Sequence, residues 1–356
     1  MDIDSVELFT LDVPLSDPFE ISLGTKSAAA NVVVRIETAN GTVGYGEGAP
    51  LAPITGETQK TAVAAAEAGA TLLEGRDLRN RRDLVFELHG ALPGTVSSLF
   101  ALETALFDAY CRERDLSIAE LFGGSPEPVT TDITVGIVDP STAAEEATDA
   151  VAAGFEEIKI KVGGSIESDL ERVEAVREAA PNAEIKVDAN QGWTPVEAIQ
   201  FADRARSRGL DLSLIEQPVH CDDIDGLARV TTAVNVPVAA DEAVFTPADA
   251  HRIVSRGAAD VINVKAGKSG LIDGAAIAEI ARGGNVELMV GCMLESAIGL
   301  HASAHLVAGL GGFSYVDLDG NFSFEDHVTD VTVSPTLDID GPGHGVVPDE
   351  TLLSRP

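Results

Sequence analysis

From residue 130 onward, the chain repeats an apolar strand-like run followed by a loop and, in most repeats, an Ala-rich amphipathic helix. This alternation is typical of parallel sheets whose strands are joined by helices. The runs are 131–137, 156–162, 183–189, 212–218, 236–242, 259–265, 286–291 and 313–319. Eight of them favour an α/β fold with a TIM-type (β/α)7β barrel. The alternative, a doubly wound sheet, is disfavoured because no GxGxxG follows a first strand.

The first part of the chain has a different pattern. Two β-rich stretches, VELFTLDVPL and NVVVRIETANGTVGYGEG, are followed by helical periodicity in KTAVAAAEAGATLLEG and SLFALETALFDAYCRERD. The dipeptide Asn40-Gly41 is typical of a hairpin turn. A Gly/Pro-rich stretch at 122–128 predicts a boundary. We therefore predict three parts: an N-terminal α+β domain (1–124), the barrel (125–320) and a C-terminal segment (321–356) that returns to the first domain.

Three single carboxylates stand at the ends of successive predicted strands: Asp188, Glu216 and Asp241. They are 28 and 25 residues apart, about one strand–helix unit. The ends of parallel strands meet at one rim, so the three acids should converge there. Mg²⁺ prefers such oxygen ligands. Acids at strand ends also serve as helix caps and turn residues, but three in register favour a metal site.

Lysine is rare in this chain, and most of it lies in apolar segments. Only seven lysines accompany 58 acidic residues, and five of the seven fall in or just after strand-like runs. Burying a lysine is costly unless charge or metal chemistry requires it. Lys159 and Lys161 alternate with apolar residues, so both should face the barrel interior. Lys161 and Lys265 end their runs, which favours catalytic roles, while a structural ion pair is an equal alternative for Lys159.

The composition restricts the setting in which this protein works. A formal net charge of −34 argues against binding to nucleic acid or to anionic membranes. Such self-repulsion is tolerable where salt screens it, which favours a halophilic cytoplasm. Neither a signal peptide nor a membrane-spanning run is evident. The cysteines indicate neither a disulfide framework nor a zinc site: Cys111, Cys221 and Cys292.

The segments KIKVG, DANQGW, EQPVH, ADEAVF and INVK resemble those of the enolase superfamily, in the muconate lactonising enzyme subgroup. Within that subgroup the chain is most similar to dipeptide epimerases of the L-Ala-D/L-Glu type, over nearly its whole length. The resemblance implies one Mg²⁺ held by Asp188, Glu216 and Asp241, with Lys161 and Lys265 as the two acid/base residues. It also implies that the N-terminal domain caps the site with loops near 18–27 and 50–57.

Further roles follow only from the resemblance. Asn190 and Asn263 match positions that support the metal ligands, and Lys268 is a family lysine that we interpret as supporting or solvated. Glu295 could face the pocket after the seventh strand. The substrate-binding residues that the resemblance implies are Lys159, Thr134, Asp317 and Asp319.

The subfamily assignment depends on the pair Asp317 and Asp319 after the eighth strand. Two carboxylates on one face of a strand are stabilised by a cation, and dipeptide epimerases use such a pair to hold the α-ammonium of the substrate. A solvated acid pair is the alternative in so acidic a chain. Gly24 stands where Ala-Glu epimerases carry an arginine that binds glutamate, and Lys26 lies two residues further on. The preferred dipeptide therefore stays open.

The leading hypothesis is a Mg²⁺-dependent 1,1-proton transfer at the α-carbon of a dipeptide's C-terminal residue, through a metal-stabilised enolate. The same metal and lysines would also serve a muconate cycloisomerase, or an o-succinylbenzoate synthase with N-acylamino acid racemase activity. Asp317 and Asp319 argue against both, because they would repel a dianionic substrate. A non-catalytic barrel would have lost a ligand or base, and none is missing. A homo-oligomer is compatible with the sequence.

Overall fold

Eight parallel strands form the centre of the protein in a computed structural model that describes residues 1–329 and 334–356. Neighbours in the sequence are neighbours in the sheet: β5 (Ile133–Val135), β6 (Glu157–Lys161), β7 (Glu184–Asp188), β8 (Leu214–Glu216), β9 (Val238–Ala240), β10 (Val261–Val264), β11 (Glu287–Gly291) and β12 (Phe313–Asp317). A hydrogen bond from the Asp132 N–H to the Val316 carbonyl (3.2 Å) connects the two edges. The predicted barrel is confirmed, although each strand is shorter than expected because residues at one or both of its ends lie outside the ladder.

Seven helices join the barrel strands: α6 (Pro140–Ala152), α7 (Ile166–Ala179), α8 (Pro195–Ser207), α9 (Ile224–Ala233), α10 (Pro247–Arg256), α11 (Ala266–Gly283) and α12 (Ala297–Leu310). Local sequence fixes their ends. At the start of α8, Thr194 and Glu197 form a capping box, and Gly209 after its end has a φ of 74°. No helix within 1–329 and 334–356 combines the length and apolarity needed to cross a membrane.

The N-terminal part is a three-stranded antiparallel sheet covered by helices. The strands are β1 (Ile3–Ile21), β2 (Gly24–Thr38) and β3 (Val43–Gly48), with the predicted turn at Asn40-Gly41 between the last two. The helices are α1 (Ala52–Thr55), α2 (Gln59–Leu73), α3 (Arg81–Ala91), α4 (Val96–Arg114) and α5 (Ile118–Phe122). The periodicity predicted α2 and α4 correctly. The supposed loop near 18–27 is instead the tip of the long β1–β2 hairpin.

The C-terminal segment contacts both other parts of the chain. A short strand β13 (Thr336–Leu337) pairs with β4 (Val129–Thr130), and Ser354 pairs with Thr10 of β1. The predicted C-terminal segment (321–356) includes 330–333, which lie outside the described residues. The division of the chain at residues 124 and 320 stays a prediction.

A buried acid connects the N-terminal part to the barrel. Glu103 in α4 accepts a hydrogen bond from the Ile272 N–H (2.8 Å), just after Gly270 interrupts α11 with a φ of 75°. The carboxyl group therefore caps the part of α11 that follows the kink. Burial raises the pKa of Glu103 to about 8, since the hydrogen bonds from Ile272 and Leu271 offset it only in part.

This pKa predicts how stability depends on pH. The pKa of Glu103 is higher in the folded than in the unfolded chain, so between about pH 4.5 and 8 the unfolded state loses the proton first. Its contribution should therefore lower the free energy of unfolding as pH rises through this range, by about 1.4 kcal/mol per unit of pKa difference at most. Urea unfolding of Glu103→Gln should lack this decline, whereas exposed Glu87→Gln should keep it. If the free energy of unfolding depended on pH equally in Glu103→Gln and in the wild type, the raised pKa of Glu103 would be contradicted.

Candidate active site

The three carboxylates singled out by the sequence lie together at the C-terminal rim of the barrel. Asp188 and Glu216 end β7 and β8 and stand opposite each other in the parallel register, and Asp241 directly follows β9. All three are buried, with at most 1 % of their surface exposed. Neighbouring strands lie about 4.8 Å apart, so one cation can bridge acids from three consecutive strands.

Lysines hold the two outer acids. The Lys161 Nζ lies 2.6 Å from Asp188 Oδ2, and the Lys265 Nζ lies 2.6 Å from Asp241 Oδ2. Glu216 differs, because its Oε2 has no hydrogen-bond partner among the described residues, and the Lys159 ammonium is 3.5 Å away. Burial and then repulsion by Asp188 raise the pKa of Glu216 to about 8. A buried acid in this state is chemically suited to be a cation ligand.

The acids are nevertheless not drawn into a tight triad. Two other groups of three side chains in 1–329 and 334–356 bring ligand atoms within 4.8 Å of one another, and the rim trio is not one of them. The two groups are Asp132, Asp317 and Asp319 in the barrel, and His220, Cys221 and Asp222 on a surface loop. A divalent cation would compete with Lys161 and Lys265 for the carboxylate oxygens. The residue types and their position fit such a cation, since three hard oxygen donors meet on adjacent strands.

Neighbouring amides orient the acids. The Asn263 side chain donates to Glu216 (2.6 Å), and the Asn190 N–H donates to Asp188 (2.8 Å), so both asparagines lie where the resemblance implied. The Gln217 Oε1 accepts from the Asp241 N–H (2.8 Å), a contact that sequence reasoning missed. Asn190 and Gln217 have φ values of 39° and 33°. Such strained backbone is common at functional sites, and polar residues one or two positions after the acids were the available sequence indication.

The two lysines expected to act as acid and base line the same cavity. Lys161 ends β6 and Lys265 follows β10, four strands further round an eight-stranded barrel, so they approach from opposite sides. Burial lowers the pKa of Lys265, but the nearby acids Asp241 and Glu216 outweigh this and raise it well above its ordinary value. A cation bound to those acids would weaken that effect.

Lys268 is a supporting residue, and the solvated alternative is wrong. It is only 2 % exposed, and its Nζ lies 2.6 Å from Asp241 Oδ1 and also contacts the Asp241 carbonyl. The chain turns into α11 directly after β10, which brings this lysine back beneath the rim. Two lysines therefore hold Asp241 in place. Burial raises the pKa of Asp241, but the charges and hydrogen bonds of Lys265 and Lys268 outweigh this effect and leave the pKa below its ordinary value.

The acid pair after the eighth strand also faces the cavity. Asp317 contacts the Lys159 ammonium, while the Asp319 Oδ2 accepts a hydrogen bond from the Thr134 N–H (2.6 Å). Asp319 has no ion pair within the described residues, and burial and then Asp317 raise its pKa. The structure thus brings together all four residues that the resemblance assigns to the substrate: Lys159, Thr134, Asp317 and Asp319.

Asp132 is an acid that the sequence analysis did not single out. It is fully buried beside Asp317 and Asp319, and its Oδ2 lies 2.6 Å from the Lys186 ammonium. It stands just before the short strand β5, where the sequence TTDITV gives no reason to separate it from an ordinary strand-end acid. Its presence increases the negative charge behind the pair.

Glu295 does not belong to this cavity, so the expectation that it could face the pocket is wrong. It is fully buried but absent from the cavity wall, and its Oε1 accepts from the Met293 N–H (3.3 Å). The chain turns there to begin α12, which directs the side chain toward buried Glu47 of β3. Burial and then the charge of Glu47 raise the pKa of Glu295 to about 8.

The N-terminal part closes the cavity from above. The cavity has a volume of about 270 Å³ and lies between the barrel rim, the β1–β2 hairpin tip and the segment 51–54. Ser22 in the hairpin tip donates a hydrogen bond to the Asn190 carbonyl (2.7 Å), which ties the hairpin to the rim. The volume lies near the lower end of the range for small-molecule sites, about 300–1,000 Å³.

Family comparisons agree with this arrangement. Residues 142–352 match the model described as enolase C-terminal domain-like, and residues 5–123 match the N-terminal domain of mandelate racemase/muconate lactonizing enzyme. The chain belongs to the mandelate racemase/muconate lactonizing enzyme family. This confirms the resemblance to the enolase superfamily that the rim motifs indicated.

Several similar members of the mandelate racemase/muconate lactonizing enzyme family are named dipeptide epimerases. An L-Ala-D/L-Glu epimerase from Thermotoga maritima is 38% identical over 87% of this chain and 90% of its own length. A substrate-liganded structure of the L-Ala-D/L-Glu epimerase from Bacillus subtilis has a TM-score of 0.95 at 33% identity, covering 98% of this chain and 99% of that one. A dipeptide epimerase from Enterococcus faecalis, complexed with Mg and L-Leu-L-Tyr, has a TM-score of 0.93 at 36% identity, covering 97% and 99%.

Proposed function

We propose that this protein is a dipeptide epimerase, an isomerase that inverts the α-carbon of the C-terminal residue of a dipeptide. The observation that carries the proposal is the position of Lys161 and Lys265, which enter one cavity from opposite sides of the barrel. Inversion requires a base on one face of the carbon and an acid on the other. The names of the similar proteins support this function over the cycloisomerase and acylamino-acid alternatives.

The two lysines perform complementary proton transfers. A neutral amine at one lysine takes the α-proton from its face of the substrate, and the ammonium at the other returns a proton to the opposite face. The roles exchange for the other enantiomer, so the reaction is reversible and no proton is gained or lost overall. Their burial beneath the N-terminal part limits exchange with water during the transfer.

Asp188, Glu216 and Asp241 would hold one Mg²⁺ at the rim. When bound, this ion supplies positive charge that stabilises the enolate as it forms. The chain's own contribution is to fix the acids: Asn263 orients Glu216, and Gln217 and Lys268 orient Asp241.

The amino end of the substrate would bind at Asp317 and Asp319. Lys159 already compensates the charge of Asp317, but Asp319 has only the Thr134 N–H among the described residues. A partly buried carboxylate in that position is stabilised by a cation, and a dipeptide α-ammonium is a cation of suitable size. A dianionic substrate would meet Asp317 and Asp319 in the cavity wall, which disfavours the alternatives.

Incubation in D₂O tests the function directly. With Mg²⁺ present, free dipeptides should incorporate deuterium at the α-carbon of the C-terminal residue and epimerise, as read by mass spectrometry and chiral chromatography. N-acetyl and N-succinyl amino acids should exchange far more slowly. Faster exchange of the N-acylated compounds than of any dipeptide would replace the proposal with an acylamino-acid racemase.

Asp319→Asn should affect free dipeptides selectively. A charge-assisted contact is worth about 1.5–3 kcal/mol, so kcat/KM should fall about ten- to a hundredfold. N-acetylated dipeptides lack the ammonium and should lose much less. Asp222 is an acid on a rim loop whose side chain is 92% exposed. Asp222→Asn is the matched control and should leave kcat/KM unchanged for both substrates. An equal loss for both substrate types would place the ammonium elsewhere.

The setting of the protein is also part of this proposal. The net charge of −34 supports a halophilic cytoplasm, free of nucleic-acid and membrane partners. A homo-oligomer remains compatible with the fold.

A further inference from the structure

The wall of the cavity is divided sharply by polarity. The barrel rim contributes its acids and paired lysines, whereas the side formed by the N-terminal part is mostly apolar, apart from Thr25 and Lys26. We call this apolar side the roof: Phe19, Ile21, Leu23, Leu51, Pro53 and Ile54. The first three belong to the β1–β2 hairpin tip and the others to the segment at α1.

Building on the proposed function, we infer that the roof selects dipeptides with apolar side chains, such as leucine or phenylalanine, over acidic ones. In the proposed function the rim binds the substrate backbone, because the amino end faces Asp319 and the reacting carbon lies between the two lysines. The side chains that rise from this backbone then meet the roof. Apolar side chains bind favourably there because they leave water, whereas a carboxylate would lose its hydration.

A cation beside the roof, Lys26, could favour acidic side chains instead. Its surroundings argue against this role. Lys26 lies two residues after Gly24 and lines the cavity, but it also borders a second, smaller cavity formed by Ala28–Asn31 and Ala49–Leu51. Its side chain is partly exposed, with no ion pair in the part of the chain that the structure describes. A lysine at the mouth keeps its ammonium in water at little cost, so it need not serve as a buried partner for a carboxylate.

Neighbouring residues of the rim extend the apolar surface of the roof. Met293 and Leu294 after β11, and Phe322 after β12, extend the apolar wall beside it. No acid of the described residues lines this side of the cavity. The apolar part of the cavity wall therefore extends from the hairpin tip to the rim.

A panel of dipeptides measured with the wild-type enzyme tests the inference. The value of kcat/KM should be about ten- to a hundredfold higher for L-Ala-L-Leu and L-Ala-L-Phe than for L-Ala-L-Gln and L-Ala-L-Glu. Glutamine has the size of glutamate without its charge, so L-Ala-L-Glu should be no better a substrate than L-Ala-L-Gln if Lys26 does not bind the carboxylate. If L-Ala-L-Glu is the best substrate and Lys26→Met removes that advantage, the inference is overturned.

Variants of the roof give an independent check. Ile54→Thr should lower kcat/KM several-fold for L-Ala-L-Leu and much less for L-Ala-L-Gln. Ile199→Thr, a similarly half-buried position on α8 away from the cavity, should change neither. Equal losses for both substrates in Ile54→Thr would contradict a selective roof. If no dipeptide of any kind exchanges its α-proton, the proposed function itself fails and the inference with it.

Discussion

Replacing either Lys161 or Lys265 with alanine should stop epimerisation, with kcat falling by about 10²- to 10⁴-fold. Inversion needs a proton removed from one face of the α-carbon and returned on the other, so neither lysine alone suffices. Each variant should still exchange the α-proton of one enantiomer with D₂O, because the remaining lysine reaches one face. The two variants should prefer opposite enantiomers, since the lysines stand on opposite sides of the barrel.

Exchange of single enantiomers, followed by mass spectrometry, measures this preference. Lys60→Ala, an exposed lysine on α2, is the control and should retain full activity. If both active-site variants exchanged the same enantiomer, the lysines could not flank the carbon. Loss of the helical circular dichroism spectrum in either variant would be checked first, because Lys161 and Lys265 each hold a buried acid in the unliganded enzyme.

The rim of this site could be predicted from the sequence because its residues obey simple periodicities. Strand-like runs recur once per strand–helix unit, so Asp188, Glu216 and Asp241 had to share one end of the sheet. Alternation within a strand likewise placed Lys159 and Lys161 on one face. Neither argument requires knowledge of how the loops fold.

The parts that the sequence did not predict depend on loop paths and on contacts between distant segments. Glu295 was expected at the pocket, but the turn into α12 directs it toward Glu47. The sequence alone allows a supporting or a solvated Lys268, since only the turn after β10 brings it back to Asp241. Asp132 and Gln217 act through partners that are far away in the sequence, and no local pattern marks such pairs.

Removing one rim carboxylate should abolish turnover while leaving the fold intact. Asp188→Asn, Glu216→Gln and Asp241→Asn each replace an anionic ligand by a neutral one, and Mg²⁺ gives up its water reluctantly for such ligands. The ion's contribution to stabilising charge in the transition state is several kcal/mol, so kcat should fall roughly a thousandfold or more. Chelation of the wild type with EDTA should have the same effect and be reversed by added Mg²⁺.

Stability should respond in a way that separates metal binding from folding. The three acids repel one another in the unliganded enzyme, and this repulsion contributes to the raised pKa of Glu216. Neutralising Glu216 should therefore leave the melting temperature in EDTA unchanged or raised, while removing the increase that Mg²⁺ gives the wild type. Asp260→Asn, at the start of β10 on the opposite end of the barrel, should keep that increase. Full activity of EDTA-treated protein, or an undiminished Mg²⁺ stabilisation of Glu216→Gln, would show that the rim acids do not bind the metal.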